Sequence, residues 1–279
     1  WMLWHWETKP DGKRTKVPMS VSGGPCGTDE KWQIMDVYKP KNMLNGKLPV
    51  IVSAHGGGWI YGNKEVYQFY CMSLAQRGFV VVNYTYRLAP KHKYPAAMED
   101  TNLVFNWIMD NGEKYGMDLN NIFAVGDSAG AQIIGLYAAM ITNDAYGKTY
   151  PFVYPKNLKI RALGMNCGKY NAINDAASGF FKDLMPHKGT EEEKRMISVV
   201  EHIGEAFPPC YILTANEDFL KEEPKDLIKV LKERGIEYDY KMYGSEDKPL
   251  YHVFHCDIKT EDAKQANDDE IQFFRKHLK

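Results

Sequence analysis

A serine held on a glycine turn, a bare glycine loop and two late histidines are the residues of this chain best suited to chemistry. Ser128 sits in Gly126-Asp127-Ser128-Ala129-Gly130, after the apolar run Ile122-Phe123-Ala124-Val125 and before a helical pattern, Ala131 to Ile141. A Gly-x-Ser-x-Gly pentapeptide between strand and helix makes a turn too tight for side chains beside the serine. Its strained backbone lifts the hydroxyl to where a substrate can reach it, as nucleophilic acyl chemistry requires. Upstream, His55-Gly56-Gly57-Gly58-Trp59 follows the apolar run Leu48 to Ala54. Glycine backbone after a strand leaves N–H groups uncovered, and donors aimed at one point can hold the oxygen that turns negative during acyl transfer. The donors expected here are the N–H groups of Gly57 and Gly58, joined by that of Ala129 directly after the serine. A phosphate-binding loop is the competing reading, but no Lys-Ser/Thr follows the glycines and no nucleotide fingerprint is complete.

A serine hydroxyl is a weak nucleophile at neutral pH and needs a neighbouring base. That base is usually a histidine kept in the right tautomer by a carboxylate. Two late loops offer both. The run Cys210 to Ala215 leads into Asn216-Glu217-Asp218-Phe219-Leu220, and the run Tyr238 to Tyr243 leads into a loop holding Tyr251-His252-Val253-Phe254-His255. Read by themselves, the residues leave Glu217 and Asp218 open as the acid, and His252 and His255 open as the base. Asp226 and Asp239 fall inside a helix and a strand, where solvated charge is the simpler reading. A His-x-x-His pair also suits a metal ion, but no third ligand at a telling spacing accompanies it, so no metal is expected.

The elements that must position these residues alternate along the chain. Residues 32–38 alternate with period two, as a half-exposed strand does. The turn 39–47 precedes strand 48–54. A helix over 66–77 ends at Gly78, strand 79–84 follows, and Pro95 introduces a helix over 96–111. Strand 121–125, helix 128–141, strand 160–165, strand 210–215, helix 225–234, strand 238–243 and helix 261–279 complete the series. Strands alternating with helices imply a mostly parallel sheet covered on both faces, whose ligands sit beyond the carboxyl ends of the strands. Residues 167–206 interrupt the alternation. They hold several glycines and Pro186, then a charged helical stretch over 191–205, and are expected to form a small helical cap. Residues 1–31 read as irregular. One domain over 1–279 is the expectation.

The motifs His55-Gly56-Gly57-Gly58-Trp59, Tyr86-Arg87-Leu88-Ala89-Pro90, Tyr94-Pro95-Ala96-Ala97-Met98-Glu99-Asp100 and Gly126-Asp127-Ser128-Ala129-Gly130 stand in register with one family. Over residues 32 to 275 the chain resembles the hormone-sensitive-lipase-like esterases, α/β-hydrolases of the carboxylesterase type. The resemblance implies an α/β-hydrolase fold and a serine carboxylesterase working through an acyl-enzyme, without a cofactor. It favours Asp218, in Asp218-Phe219-Leu220, as the acid and His252, in His252-Val253-Phe254, as the base, with His255 a loop or wall residue. It also implies that Arg87 and Asp100 pair beneath the glycine loop and fix its shape. The chain departs from the family in its short region before the first strand and in Lys91, which stands where an acidic residue is frequent. A small cap and an open acyl pocket follow, suited to a short acyl ester such as an acetyl group on a sugar. Trp59, Tyr170, Phe219 and Tyr251 adjoin the motif loops and are the candidates to line that pocket. An arylformamidase-like amidase shares a His-Gly-Gly loop, but the Tyr-Arg-Leu-Ala-Pro run leans towards the esterase. A non-catalytic relative would be expected to lack the serine or the histidine.

Composition narrows the partners. The chain has 279 residues, 44% hydrophobic and 25% charged, with net charge −1, which suits neither nucleic acid nor an anionic membrane surface. Its longest apolar helical run, Ile133 to Ile141, is too short to span a bilayer. Five cysteines without a Cys-x-x-Cys pair argue against a disulfide framework and for a reducing, cytoplasmic setting. No signal-peptide pattern is visible, although the first residue is Trp1 and an upstream segment stays open. Asn83-Tyr84-Thr85 matches a glycosylation sequon by chance within a buried strand. The strand 238–243 should lie at a sheet edge, and a homodimer through that edge is a further expectation.

Overall fold

A computed structural model describes residues 2–8, 14–29, 31–43, 46–173 and 179–279. Their strands are β1 (Met2–Thr8), β2 (Arg14–Pro25), β3 (Ile34–Pro40), β4 (Leu48–Ala54), β5 (Val80–Thr85), β6 (Met117–Asp127), β7 (Ile160–Asn166), β8 (Cys210–Ala215) and β9 (Tyr238–Tyr243). They form one sheet in the order β1-β2-β3-β5-β4-β6-β7-β8-β9. From β5 through β4 to β9 every pairing is parallel, whereas β1, β2 and β3 run antiparallel to their neighbours.

The inner strands are apolar at successive positions because both their faces are covered. In β4, Val50 and Val52 face one hydrophobic cluster and Ile51 the other; in β6, Ile122 and Ala124 oppose Phe123 and Val125 in the same way. On one face lie α1 (Gln68–Gln76) and the last long helix, Glu261–Lys276. On the other lie α2 (Ala96–Asn111), α3 (Ala129–Thr142) and Pro224–Glu233. Short helices α4 (Asp144–Gly147), α5 (Gly179–Leu184), α6 (Glu191–Met196) and α7 (Val199–His202) fall between these, so that Pro224–Glu233 is α8 and Glu261–Lys276 is α9. No helix among the described residues is long and apolar enough to cross a membrane.

Two expectations change. Residues 1–31 are not irregular where described: β1 and β2 pair over Met2↔Ser20 to Thr8↔Arg14, and β2 extends the sheet from β3. Pro18, Gly23, Gly24 and Pro25, residue types that weaken a strand, are carried inside β2. The helix expected over 191–205 is two helices. Thr190 and Glu193 form a capping box that starts α6. After it the Ser198 hydroxyl donates to the Lys194 carbonyl at 2.8 Å and accepts from the Ala172 N–H at 2.9 Å, turning the chain before α7. Residues 174–178 of the expected cap lie outside the described residues. The remainder is tied to the sheet domain by Gln132 Nε2 donating to the Ile197 carbonyl (2.9 Å) and Tyr94 N–H donating to the Leu184 carbonyl (2.9 Å).

Candidate active site

Register decides which loops meet. Ala54 pairs with Gly126, Asp127 with Asn166, Asn166 with Leu213 and Ala215 with Tyr243. The carboxyl ends of β4, β6, β7, β8 and β9 are therefore level, and the glycine loop, the serine turn, Cys167, Asp218 and the His252 loop leave one edge.

At the serine turn, close approach requires the glycines. A Cβ on Gly126 would lie 2.3 Å from the Gly130 carbonyl oxygen, and one on Gly130 would lie 2.1 Å from the Ala54 carbonyl oxygen. Without those atoms α3 starts directly against β4 and β6. Ser128 is left at φ 56°, ψ −115°, a strained conformation for a residue with a side chain. Its N–H donates to the Asn166 carbonyl at 2.9 Å. Its hydroxyl is partly exposed and makes no hydrogen bond among the described residues. Gly56 lies against it: a Cβ there would stand 3.4 Å from Ser128 Cβ.

The glycine loop is held from below. His55 is fully buried, stacks on Tyr86 at 4.0 Å and donates from Nδ1 to the Gly56 carbonyl at 2.7 Å. Burial pushes its pKa down to about 4, so it is a neutral prop. Gly56 N–H is already engaged by the Tyr67 hydroxyl (3.0 Å), and the Gly57 carbonyl accepts from Ile60 and Tyr61 N–H (3.2 and 3.0 Å). The N–H groups of Gly57 and Gly58 meet no protein acceptor among the described residues. Arg87 and Asp100 pair as expected. Buried Asp100 accepts from Arg87 N–H (2.7 Å), Arg87 Nε (2.9 Å) and Gln33 Nε2 (2.7 Å). Ala89 N–H of the same segment donates to the Trp59 carbonyl at 2.9 Å, which joins it to the glycine loop.

Asp218 and His252 come together, with His252 Nδ1 2.8 Å from Asp218 Oδ1. Burial alone would raise the Asp218 carboxyl. Hydrogen bonds from His252, the Cys167 thiol and the Leu220 N–H outweigh it and hold the group below the usual carboxylate range. Glu217, the other open acid, points to solvent. Phe219 and Tyr251 are exposed beside His252, the Phe219 ring at 4.3 Å from the imidazole. Trp59 is buried against Phe181 at 5.9 Å. Tyr170 is not a pocket residue. It is fully buried, and its hydroxyl donates to the Met165 carbonyl at 2.8 Å and accepts from Gly168 N–H at 3.2 Å. Its place beside a motif loop in sequence hid a side chain that turns back into the core.

Sequence reasoning did not foresee Cys167 beside Asp218 or the pairing of Asp127 with His255. Cys167 follows β7 at φ 46° and lies under Asp218; its thiol is pushed well up by burial. Asp127 and His255 form a second, fully buried acid–histidine pair at 2.7 Å. Only the position of Asp127 inside the pentapeptide and the unused second histidine hinted at it. Cys167, Asp218 and His252, and likewise Asp127, His255 and Cys256, bring three ligand-type atoms within 4.8 Å of one another. A coordinating thiol must lose its proton. Burial opposes that for both cysteines, and both histidines already bond their carboxylates. Both sets are hydrogen-bonded pairs with a thiol alongside.

The sequence signature of the α/β-hydrolase fold matches residues 51–255. Versiconal hemiacetal acetate esterase of Dothistroma septosporum is 27% identical over 225 residues, 72% of this chain and 65% of that protein. Esterase LipI of Mycobacterium tuberculosis is 35% identical over 125 residues, 44% of this chain and 37% of that protein. The chain thus spans less than two thirds of these relatives. Among solved structures, esterase B from Lactobacillus rhamnosis superposes with a TM-score of 0.84 at 21% identity, covering 93% of this chain and 86% of that one. The esterase of Pyrobaculum calidifontis does so with a TM-score of 0.72 at 22% identity, covering 99% and 85%.

Proposed function

Since the chain belongs to the α/β-hydrolases, among the hormone-sensitive-lipase-like esterases, we propose that it is a serine carboxylesterase acting on short-chain acyl esters through Ser128, His252 and Asp218. The observation that carries this reading is the His252–Asp218 hydrogen bond of 2.8 Å at the same sheet edge as the strained Ser128. His252 takes the Ser128 proton through Nε2 as the hydroxyl oxygen attacks the ester carbonyl. Asp218, held ionised, keeps the Nδ1–H tautomer and stabilises the imidazolium. The N–H groups of Gly57, Gly58 and Ala129 hold the tetrahedral oxyanion, one such donor being worth about 10²–10³ in rate. His252 returns its proton to the departing alcohol. Water, deprotonated by the same histidine, then releases the acid and restores Ser128.

A short acyl group is supported by Trp59, which directly follows Gly58 and is buried against Phe181 of α5 at 5.9 Å. The described parts of 167–206, residues 167–173 and 179–206, are the helical cap in this reading. The acetate in the name of the Dothistroma relative agrees with a small acyl group, and an acetyl ester of a sugar is the specific substrate class proposed. Aryl esters from acetyl to octanoyl, an acetylated sugar and an aryl formamide, offered at equal concentration, test the reading. Turnover is expected to fall with chain length and to be weak on the amide. Ser128→Ala should remove turnover by more than about 10⁴-fold with the fold intact. Retained hydrolysis in that variant refutes the assignment, and preference for the formamide would make the protein an amidase.

A further inference from the structure

Behind the proposed site lies a polar pair that the mechanism does not use. Asp127 precedes Ser128 by one peptide bond. His255 follows His252 by one tight turn, entered through Val253 at φ 53°. Asp127 Oδ1 accepts from His255 Nε2 at 2.7 Å, and its other oxygen faces the Cys256 thiol at 3.5 Å. Neither the imidazole nor the carboxylate reaches solvent. Tyr70 of α1 meets the imidazole edge-on at 5.4 Å, and Asn267 Nδ2 of α9 donates to the His255 carbonyl at 3.0 Å. Burial opposes charge on His255, but the Asp127 carboxylate outweighs it and raises the imidazole above its ordinary value.

Stability does not call for such a pair. Removing two charged groups from water costs about as much as their attraction returns, and apolar side chains of similar volume would fill the site as well. What a pair supplies that apolar residues cannot is direction: one hydrogen bond of fixed length between two defined atoms. Here it joins the only two segments that carry the attacking oxygen and its base. Among the described residues, the other side-chain bond between those segments is the weaker one from the Cys256 thiol to the second Asp127 oxygen at 3.5 Å, and the Ser128 hydroxyl makes none.

We infer that His255 is a positioning residue: bonded to Asp127, it sets the distance between the His252 loop and the Ser128 turn. This rests on the reading of Ser128 and His252 as nucleophile and base. A displacement of about 1 Å between reacting groups costs about 10²-fold in rate, so the effect belongs in kcat and not in KM.

Two variants of the whole chain test it. His255→Met keeps apolar volume without an N–H donor. The double variant Asp127→Asn/His255→Gln keeps a neutral hydrogen bond without the charges. Turnover of a short aryl ester, the rate of fluorophosphonate labelling at Ser128 and thermal melting are measured for each. His255→Met should lose about 10² in kcat and in labelling rate with KM within about twofold, and the double variant should recover to within about fivefold of the unmodified chain. A folded His255→Met with undiminished kcat overturns the inference, as does a folded double variant as slow as His255→Met. If His255→Met does not fold, the double variant decides alone by the same limits. If neither folds, the pair is scaffold and the inference falls. Failure of the underlying reading looks different: the unmodified chain would then show no turnover that Ser128→Ala abolishes.

Discussion

Gly57→Ala is the sharpest test of the glycine loop. Gly57 has φ +117°, outside the range of residues with a side chain, and a Cβ there would stand 2.0 Å from the Tyr61 carbonyl oxygen and 2.6 Å from its carbon. The obstacle is backbone, and that backbone is the turn whose Ile60 and Tyr61 N–H groups bond the Gly57 carbonyl. The peptide must rotate, and the Gly57 N–H leaves its aim. Losing one oxyanion donor costs about 10²–10³ in kcat, or about 3–4 kcal/mol of transition-state stabilisation. The φ strain adds about 1–3 kcal/mol against folding. Gly78→Ala separates the two. Gly78 has φ +94° with nothing within 4 Å of its would-be Cβ, so it carries the strain without touching the site. Initial rates on a short aryl ester, with active sites counted by fluorophosphonate labelling and stability by melting, give the comparison. Both variants should melt lower, by about 2–4 °C per kcal/mol for a chain of this size, and only Gly57→Ala should lose kcat per active site. Equal kcat in both refutes the assignment of Gly57 as an oxyanion donor.

Asp218→Asn keeps the shape of the side chain but lets His252 adopt the wrong tautomer, and should lower kcat by about 10⁴-fold at neutral pH with KM little changed; a loss under tenfold would show that another acid orients the histidine. Arg87→Met leaves the Asp100 carboxylate buried without its cation and should destabilise by about 3–5 kcal/mol, read as the denaturation midpoint. An unchanged midpoint would mean that the Arg87–Asp100 pair does not brace the loop. Glu270 of α9 is fully buried, and burial pushes its carboxyl up to about 7 against the opposing pull of His255, the Asn166 amide and Arg77. The fold therefore keeps a proton that the unfolded chain releases near its ordinary value of 4.5, and stability falls as pH rises from about 4.5 to about 7. Glu270→Gln should remove that fall, matching the unmodified chain at pH 4 and exceeding it at pH 8 by at most about 3 kcal/mol; parallel curves of melting temperature against pH would refute this.

What the sequence disclosed was local. β8 and β9 have the bounds read from their apolar and alternating runs, because Pro208-Pro209 and Gly235 mark where they begin. The serine turn was legible because its constraint lies within five residues, the spacing between Gly126 and Gly130. The β1–β2 hairpin was not, since its strands exist by pairing with each other and with β3, against the local message of Pro18 and Gly23. Nor was the break at Ser198, which depends on a bond to Ala172, 26 residues away. His255 was read as a loop residue because nothing near it names Asp127, 128 residues earlier, as its partner. The residues alone left Glu217 and Asp218 open and the resemblance favoured Asp218; its bond to His252, 34 residues on, is a contact that local sequence cannot supply.

The last helix has a bearing on how activity arises. α9 holds the His255 carbonyl through Asn267, brings Glu270 beneath β7, and is fastened to α1 by Arg77 on Asp268 and Arg275 on the Arg77 carbonyl. These contacts span 191 and 198 residues, among the longest loops the chain can close. During synthesis the serine turn emerges well before the helix that supports it. A nascent or clipped chain ending before α9 would carry every proposed reacting group but lack the helix that holds the His255 loop, so under the proposed reading its turnover is expected to wait for α9.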